Sequence, residues 1–205
     1  MYKKRKYFII LSLLLVVTLT LVGCNGSDPV SDATDDLVYE EYTTEDFSFK
    51  YPSTWTTSTN SETISSLRSE VSTDIYASGV HLEGESYGQQ YVIIAFDYST
   101  VDGATELTEE NLDMVTNEFY NIIDSGELEP SASIQETSSL NLDGNPARKI
   151  IFDYYNGEFK KDMKVELILS IKGYKLFLIM HEASKDNYSD SIGMFTEIKD
   201  STNLY

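Results

Sequence analysis

Apolar and polar residues alternate along much of the chain after Tyr39, and this pattern predicts a domain rich in β-strands. In the stretch 46–51, Phe47, Phe49 and Tyr51 alternate with polar residues, which is the period of a half-buried strand, and Pro52 ends it. The same reasoning predicts strands over 75–82, 90–98, 134–142, 147–155, 163–171 and 174–182. The last two predicted strands have apolar residues at both odd and even positions, so we expect both faces of each strand to be covered.

Three segments have the spacing of helices instead. A short helix is expected from about Ser61, with Ile64, Leu67 and Val71 on one face. The stretch 108–124 starts at a candidate N-cap, Thr108, and repeats apolar residues every three or four positions. A second segment near the end of the chain has the same spacing. The apolar positions of these two helices are Leu112, Val115, Phe119 and Ile122, then Tyr188, Ile192, Phe195 and Ile198. The whole pattern predicts an α+β layered sandwich, with an antiparallel β-sheet flanked by helices.

The first 23 residues have the organisation of an export signal. Four basic residues at positions 3–6 precede an apolar run from Tyr7 to Val22. That run is close to the minimum of roughly 17 residues that cross a bilayer and contains two threonines, so it would make a poor permanent span. The sequence Leu21-Val22-Gly23-Cys24 resembles the lipobox of exported lipoproteins, in which the cysteine thiol receives a diacylglycerol and becomes the mature N-terminus. An uncleaved N-terminal helix and simple secretion are the alternatives.

Residues 24–38 have the composition of a flexible tether, because small, polar and acidic residues dominate and no apolar period is present. A chain of this length would hold a domain on the order of 20 Å from a membrane. The remaining segment, 39–205, has the size of one domain. It contains no cysteine, so neither disulfides nor a thiolate zinc site can hold it.

The charge of the chain excludes one class of partner. There are 15 Lys and Arg residues against 34 Asp and Glu, a formal net charge of −19. Removal of residues 1–23, which hold four of the basic residues and no acidic one, would leave 11 against 34, or −23. A domain this acidic is repelled by nucleic acid and by anionic lipid headgroups. We therefore expect no nucleic-acid partner, and membrane contact through the lipid anchor alone.

Candidate catalytic residues are few. His81 and His181 lie within predicted strands, and each is expected to be a partly buried sheet residue and not a general base. The sequence has no Gly-x-Ser-x-Gly elbow and no glycine-rich phosphate loop. We therefore expect no catalytic residues and no enzymatic activity, and a hydrolase with an unrecognised site is the alternative.

Carboxylates are abundant enough to raise the question of cation sites. Two groups could bind a hard cation: Glu83 with Glu85, and Glu109 with Glu110 and Asp113. A solvated acidic surface explains both more simply, so no metal ligand and no cofactor is predicted. The stretch 141–145 imitates the start of a calcium loop. Phe152 stands where the bidentate glutamate would be, however, so we expect a hairpin turn.

Aromatic residues are the other unusual feature, with 15 tyrosines in the chain. Trp55 is expected to fill the core beside the first strand. Tyr154 and Tyr155 are neighbours in a predicted strand, so they point to opposite faces and one of them is expected to be exposed. An exposed tyrosine beside Lys160 and Lys161 would suit docking or glycan stacking, and a solvated hairpin tip is the simpler interpretation.

The order of these motifs is similar to that of one known family. The strand 47–52 (Phe-Ser-Phe-Lys-Tyr-Pro) followed by Trp55 resembles the opening of the PsbP-like superfamily. So do the turn 142–147 (Leu-Asp-Gly-Asn-Pro-Ala) and a terminal helix with Tyr188 and Phe195 facing inward. The resemblance covers about 39–199 and implies an antiparallel sheet between helical layers. Its founding members are extrinsic subunits of the oxygen-evolving photosystem, and many bacterial and archaeal relatives are exported lipoproteins with no assigned chemistry.

Together these features predict a lipoprotein attached to the cell membrane through Cys24, with a single PsbP-like domain on the extracytoplasmic face. We expect this domain to be a non-enzymatic binding or assembly module for an envelope or membrane complex. The alternative is a small-ligand or cation carrier that serves a transporter or an envelope enzyme. The chain is short for the two-lobed binding proteins of transporters, which counts against that alternative.

Overall fold

The computed structural model describes residues 37–61, 64–65, 74–84, 89–157 and 159–205. Within these ranges the chain forms ten strands and two long helices. In chain order they are β1 (Tyr39–Thr43), β2 (Phe47–Pro52), β3 (Thr56–Ser58), β4 (Tyr76–Glu83), β5 (Gln90–Asp97), α1 (Glu109–Asp124), β6 (Ser133–Leu142), β7 (Asn145–Asn156), β8 (Lys161–Lys172), β9 (Lys175–Ser184), α2 (Lys185–Asp200) and β10 (Asn203–Leu204). The predicted export signal and Cys24 lie outside the described residues. The helix predicted from about Ser61 is described only at residues 64–65, which are helical.

The strands form two antiparallel sheets. The larger sheet has seven strands in the order β3-β4-β5-β9-β8-β7-β6, and the smaller has three in the order β1-β2-β10. Helix α1 covers one face of the large sheet, and the small sheet shares the opposite face with α2. The predicted α+β sandwich is therefore confirmed, with one addition, because part of the second covering layer is a sheet and not a helix.

Helix α1 packs as its apolar period predicts. Its inward residues are buried against the large sheet: Leu112, Val115, Phe119, Ile122 and Ile123. Thr108 is the N-cap, and its backbone N–H donates to Oδ1 of Asn111 at 2.9 Å, which satisfies one of the amides that the first turn leaves free. Gly126 follows the helix with φ of 72°, a conformation that glycine adopts without steric cost.

The opposite face of the large sheet carries an aromatic core. Phe47 and Phe49 of β2 are buried there, as predicted, and Trp55 is 5% exposed. The ring of Phe49 lies 5.5 Å from that of Tyr91, which lies 5.7 Å from that of Phe195 on α2. This chain of aromatic contacts joins the small sheet, the large sheet and α2 into one core.

Candidate functional site

His181 occupies the centre of the aromatic core and not a solvent-filled cleft. Its side chain is fully buried, and its ring stacks on Phe195 with centroids 4.2 Å apart. Neither ring nitrogen has a hydrogen-bond partner. Burial lowers the pKa of His181 to about 3, so the imidazole is neutral at physiological pH. The sequence predicted partial burial, and the burial is complete because α2 covers this strand.

A buried carboxylate lies directly beside this histidine. Glu166 of β8 is the cross-strand neighbour of His181 and is only 5% exposed. The Tyr188 hydroxyl lies 3.5 Å from Oε2 of Glu166, and burial is the main cause that raises the pKa of this carboxyl. The Lys164 ammonium lies 4.7 Å from the centroid of the Tyr188 ring, within cation–π distance.

A second buried carboxylate lies on the other face of the sheet, beneath the α1 layer. Glu182 is 1% exposed and accepts a hydrogen bond of 2.5 Å from the Tyr154 hydroxyl. Burial raises the pKa of Glu182 to about 7. Tyr154 is buried and Tyr155 is 45% exposed, so the prediction that these neighbours point to opposite faces is confirmed. Lys160, beside the hairpin tip, has a positive φ of 53°.

The two histidines are not brought together. His81 of β4 is 6% exposed and its Nε2 lies 3.0 Å from Oε1 of Gln90. It pairs with Val92, which belongs to the core beneath α1, whereas His181 belongs to the aromatic core on the opposite face. Burial is the largest influence on His81 and lowers its pKa. The described geometry therefore offers no histidine pair for acid–base work.

Two of the carboxylates on α1, Glu109 and Asp113, are held by an arginine. Nη2 of Arg148 lies 3.2 Å from Oε2 of Glu109, and its Nε lies 2.8 Å from Oδ1 of Asp113. This guanidinium from β7 takes the place that a hard cation would fill. Glu85 lies outside the described residues. In the part of the chain that is described, no group of three His, Cys, Asp or Glu side chains is arranged to hold a metal ion.

The stretch that imitates a calcium loop is a hairpin turn, as predicted. Asp143 and Gly144 join β6 to β7 with φ of 49° and 76°, the left-handed conformations of a tight hairpin. Oδ2 of Asp143 accepts a hydrogen bond of 2.9 Å from the Leu204 N–H. The aspartate thus ties the turn to β10.

An apolar cavity lies between α1 and the large sheet. Its lining includes Phe119, Ile122, Leu128, Phe152 and Met180. Its volume of about 10 Å³ is that of a single water molecule at most. A small-ligand carrier would need far more space than this cavity provides.

Three exposed tyrosines lie at one end of the large sheet. Tyr76, Asp97 and Lys175 are consecutive cross-strand partners in β4, β5 and β9, so they form one row. Tyr174 lies in the two-residue turn before Lys175, and its carbonyl accepts a hydrogen bond of 3.1 Å from the Tyr98 N–H. We call these residues, with Tyr205, the distal surface.

Lys175 fixes Tyr205 to this row. Its ammonium lies 2.7 Å from Oδ1 of Asp46 and 3.0 Å from the Tyr205 carbonyl. The Tyr205 hydroxyl lies 2.7 Å from Oγ of Ser48, which holds the ring over β2. Three tyrosines of the distal surface are substantially exposed: Tyr76 at 61%, Tyr205 at 49% and Tyr174 at 37%.

The distal surface lies at the end of the sheet opposite to the one where the chain enters the domain. The Val38 carbonyl accepts a hydrogen bond of 2.8 Å from the Ser53 N–H, which places the start of β1 beside the end of β2. The other end of β2, at Phe47 and Ser48, pairs with β10 next to the distal surface. The ten residues of β9 span about 30 Å between the two ends.

This arrangement of layers has a counterpart among solved structures. The cyanobacterial PsbP protein (CyanoP) from Synechocystis sp. PCC 6803 matches with a TM-score of 0.53 and 12% sequence identity, over 90% of this chain and 99% of that one. The chain has a PsbP-like fold. LpqN of Mycobacterium tuberculosis, involved in cell envelope biogenesis, matches with a TM-score of 0.48 and 11% identity, over 83% of this chain and 92% of that chain. No family model matches the sequence, and no curated protein matches it either.

At a sequence identity of 12%, the similarity shows a shared fold and does not show a shared activity. Within the described part of this PsbP-like chain, no helix is long and apolar enough to cross a bilayer. The distal surface was not predicted from the sequence, because its residues come together only through strand register. The available signal was weak: Tyr174 follows a Lys-Gly turn, and Tyr76 lies at the start of a strand predicted over 75–82.

Proposed function

We propose that this protein is a binding or assembly module, held at the extracytoplasmic face of the cell membrane by a lipid on Cys24. One observation supports the proposal above others: three exposed tyrosines, Tyr76, Tyr174 and Tyr205, lie at the end of the sheet remote from Val38. A tether that enters at Val38 would let the distal surface extend up to about 30 Å further from the membrane than the anchor side. That position suits contact with a partner protein.

The chemistry of the distal surface is that of a protein contact. Tyrosine buries a large ring with little loss of conformational freedom and keeps a hydroxyl for hydrogen bonding, and it is enriched where proteins bind one another. Tyr76 and Tyr174 flank Asp97 and Lys175, so apolar area and charged groups of both signs adjoin. The row is held by backbone pairing, so little ordering is required when a partner binds.

The anchor is tested by fractionation of cells that express the tagged full chain or its Cys24→Ala variant. We expect the wild type in the membrane fraction, from which detergent releases it, and a large loss of membrane attachment for the variant. Metabolic labelling with a fatty acid supplies the direct readout of lipid attachment. Equal membrane attachment of both chains, without label on the wild type, would overturn the lipid anchor and leave the uncleaved helix.

The binding role is tested by co-purification from mildly solubilised membranes. The test variant carries Tyr76→Ser with Tyr174→Ser, and the matched control carries Tyr155→Ser, an exposed tyrosine at the other end of the sheet. We expect one stoichiometric partner with the wild type and the control, and its loss with the double variant. If all three chains emerge alone, or if the double variant keeps the partner, the distal surface is not the binding site.

A further inference from the structure

Strand β6 leaves a long edge of the large sheet open. It is the outermost strand on its side and, among the described residues, pairs with β7 alone. In an antiparallel strand every second residue directs its N–H and C=O away from its partner. The outer side of β6 therefore presents a row of backbone donors and acceptors that could pair with one more strand.

The other sheet edges are shorter or carry more charge than this one. The opposite edge of the large sheet is β3, which has only three residues, and the stretch 76–80 of β4, which β3 does not reach. The small sheet has two edges: β1 carries the adjacent acids Glu40 and Glu41, and β10 has only two residues. Short length and exposed charge both discourage edge-to-edge pairing. Strand β6 has ten residues and neither proline nor lysine.

The regular part of β6 is nearly free of charge in a strongly acidic chain. Its pairing with β7 shifts register between Ile134 and Glu136, and the stretch from Glu136 to Leu142 is regular up to the hairpin turn. From Thr137 to Asn141 no residue is charged, although the chain carries −19 overall. The charge of Glu136 is paired, since its Oε1 lies 2.9 Å from Nζ of Lys149.

We propose that a second copy of this chain pairs with β6, antiparallel and centred on Ser139. Only that register pairs the whole regular segment of both copies, because Ser139 is its midpoint. It places Thr137 opposite Asn141 of the second copy, and Glu136 opposite Leu142, so no like charges face each other. Two copies that repel each other over most of their surface can thus meet at an uncharged edge. This inference is independent of the distal surface.

Charge variants at the two facing positions test the register. The full chain carrying Cys24→Ala is examined in mild detergent by sedimentation velocity over a range of concentrations. In Thr137→Lys with Asn141→Lys, lysines face each other twice, and we expect association to weaken roughly tenfold. In Thr137→Lys with Asn141→Glu each lysine faces a glutamate, and we expect association at least as strong as in the parent chain. Both residues are exposed, and circular dichroism melts verify the fold of each variant.

The first variant also separates local pairing from overall charge. Two added lysines reduce the net negative charge, so general repulsion alone would make that variant associate more strongly than the parent chain. Equal weakening of both charge variants would overturn the register. A parent chain that remains monomeric at every concentration, in low and high salt, would overturn the self-pairing itself.

Cysteine cross-linking gives a second and independent measurement. In the Cys24→Ala chain, Ser139→Cys would place two thiols directly opposite each other, at the spacing of facing residues in neighbouring strands. The matched control is Asn141→Cys on the same exposed side of β6, where the two thiols would be four positions out of register. We expect a disulfide-linked dimer for the first chain and its loss for the second. Cross-linking of both to the same extent, or of neither, contradicts the proposal.

Discussion

The Tyr154 hydroxyl donates a hydrogen bond of 2.5 Å to Glu182, and both side chains are buried beneath the α1 layer. On the opposite face of the sheet, Glu166 of β8 lies beside His181 of β9. The sheet therefore carries a buried carboxyl group on each face at the same end. Burial raises the pKa of both acids and lowers the pKa of His181, so the two kinds of group influence stability in opposite directions as the pH changes.

We predict that Glu182→Gln will make stability rise with pH between about 4.5 and 6.5. The raised pKa of Glu182 gives a contribution that is complete below its ordinary value of 4.5 and is lost as the pH rises through about 7. The variant removes that loss, and the lowered pKa values of His81 and His181 are then opposed by Glu166 alone among the buried acids with a raised pKa. Urea unfolding at several pH values measures it, with a change of at most about 1.4 kcal/mol per pH unit. A wild-type profile in the variant would show that Glu182 does not titrate in this range.

We predict the reverse slope for His181→Leu. The pKa of His181 is lowered from 6.5 to about 3, so its contribution to stability is complete above pH 6.5 and is lost as the pH falls towards 3. Without it, the raised pKa values of Glu166 and Glu182 dominate, and stability should fall as the pH rises from 4.5 to 7. Leucine also removes two buried nitrogens without hydrogen-bond partners, so the variant should equal or exceed the wild type at pH 5. Loss of stability at every pH would contradict this account.

We predict that Arg148→Gln will destabilise the domain slightly and in a salt-dependent way. Arg148 is mostly covered, but the side chains of Glu109 and Asp113 are 67% and 54% exposed, so water screens both ion pairs. The expected loss is roughly 1 kcal/mol at low ionic strength, and less in about 1 M salt. Urea unfolding in the two buffers measures the difference. A large loss that salt leaves unchanged would mean that the packed stem of the arginine matters more than its charge.

We predict opposite effects for two glycine-to-alanine substitutions. A Cβ at Gly79 would lie 3.0 Å from the Ile93 carbonyl oxygen, a backbone atom, and 3.0 Å from Cδ1 of Ile64. Gly79→Ala should cost roughly 1–3 kcal/mol. A Cβ at Gly193, within α2, meets nothing within 4 Å, and Gly193→Ala should stabilise by about 1 kcal/mol. Thermal melts of both chains test the pair, and a neutral Gly79→Ala would show that the strands can separate.

The sequence predicts best those elements whose own side chains carry the period. Helix α1 was predicted over 108–124 and is observed over 109–124, and β5 was predicted over 90–98 and is observed over 90–97. Strands β1, β3 and β10 were not predicted, because they are short and depend on backbone pairing with a neighbour.

The candidate sites could be predicted only in part, for a related reason. Tyr154 is the buried one of the two neighbouring tyrosines, and its hydrogen-bond partner Glu182 lies on another strand. The contact between Arg148 and Asp113 joins residues 35 positions apart, so the acidic helix gives no sign of it. Tyr76 and Lys175 share a row only because two strand registers bring them together.

The pairing of β10 with β2 has a kinetic consequence. Asn203 lies beside Ser48, 155 positions earlier in the chain, so the small sheet is closed by contacts of very long sequence separation. To form such a contact, the chain must first lose the conformational entropy of a long loop, and only then does the contact add stability. Folding is therefore slower. If the chain is synthesised from its N-terminus, the edge of β2 that pairs with β10 has no partner strand until residues 203–204 have been made. Closure of this sheet would then be a late step, and the aromatic surface of β2 would stay vulnerable to aggregation until then.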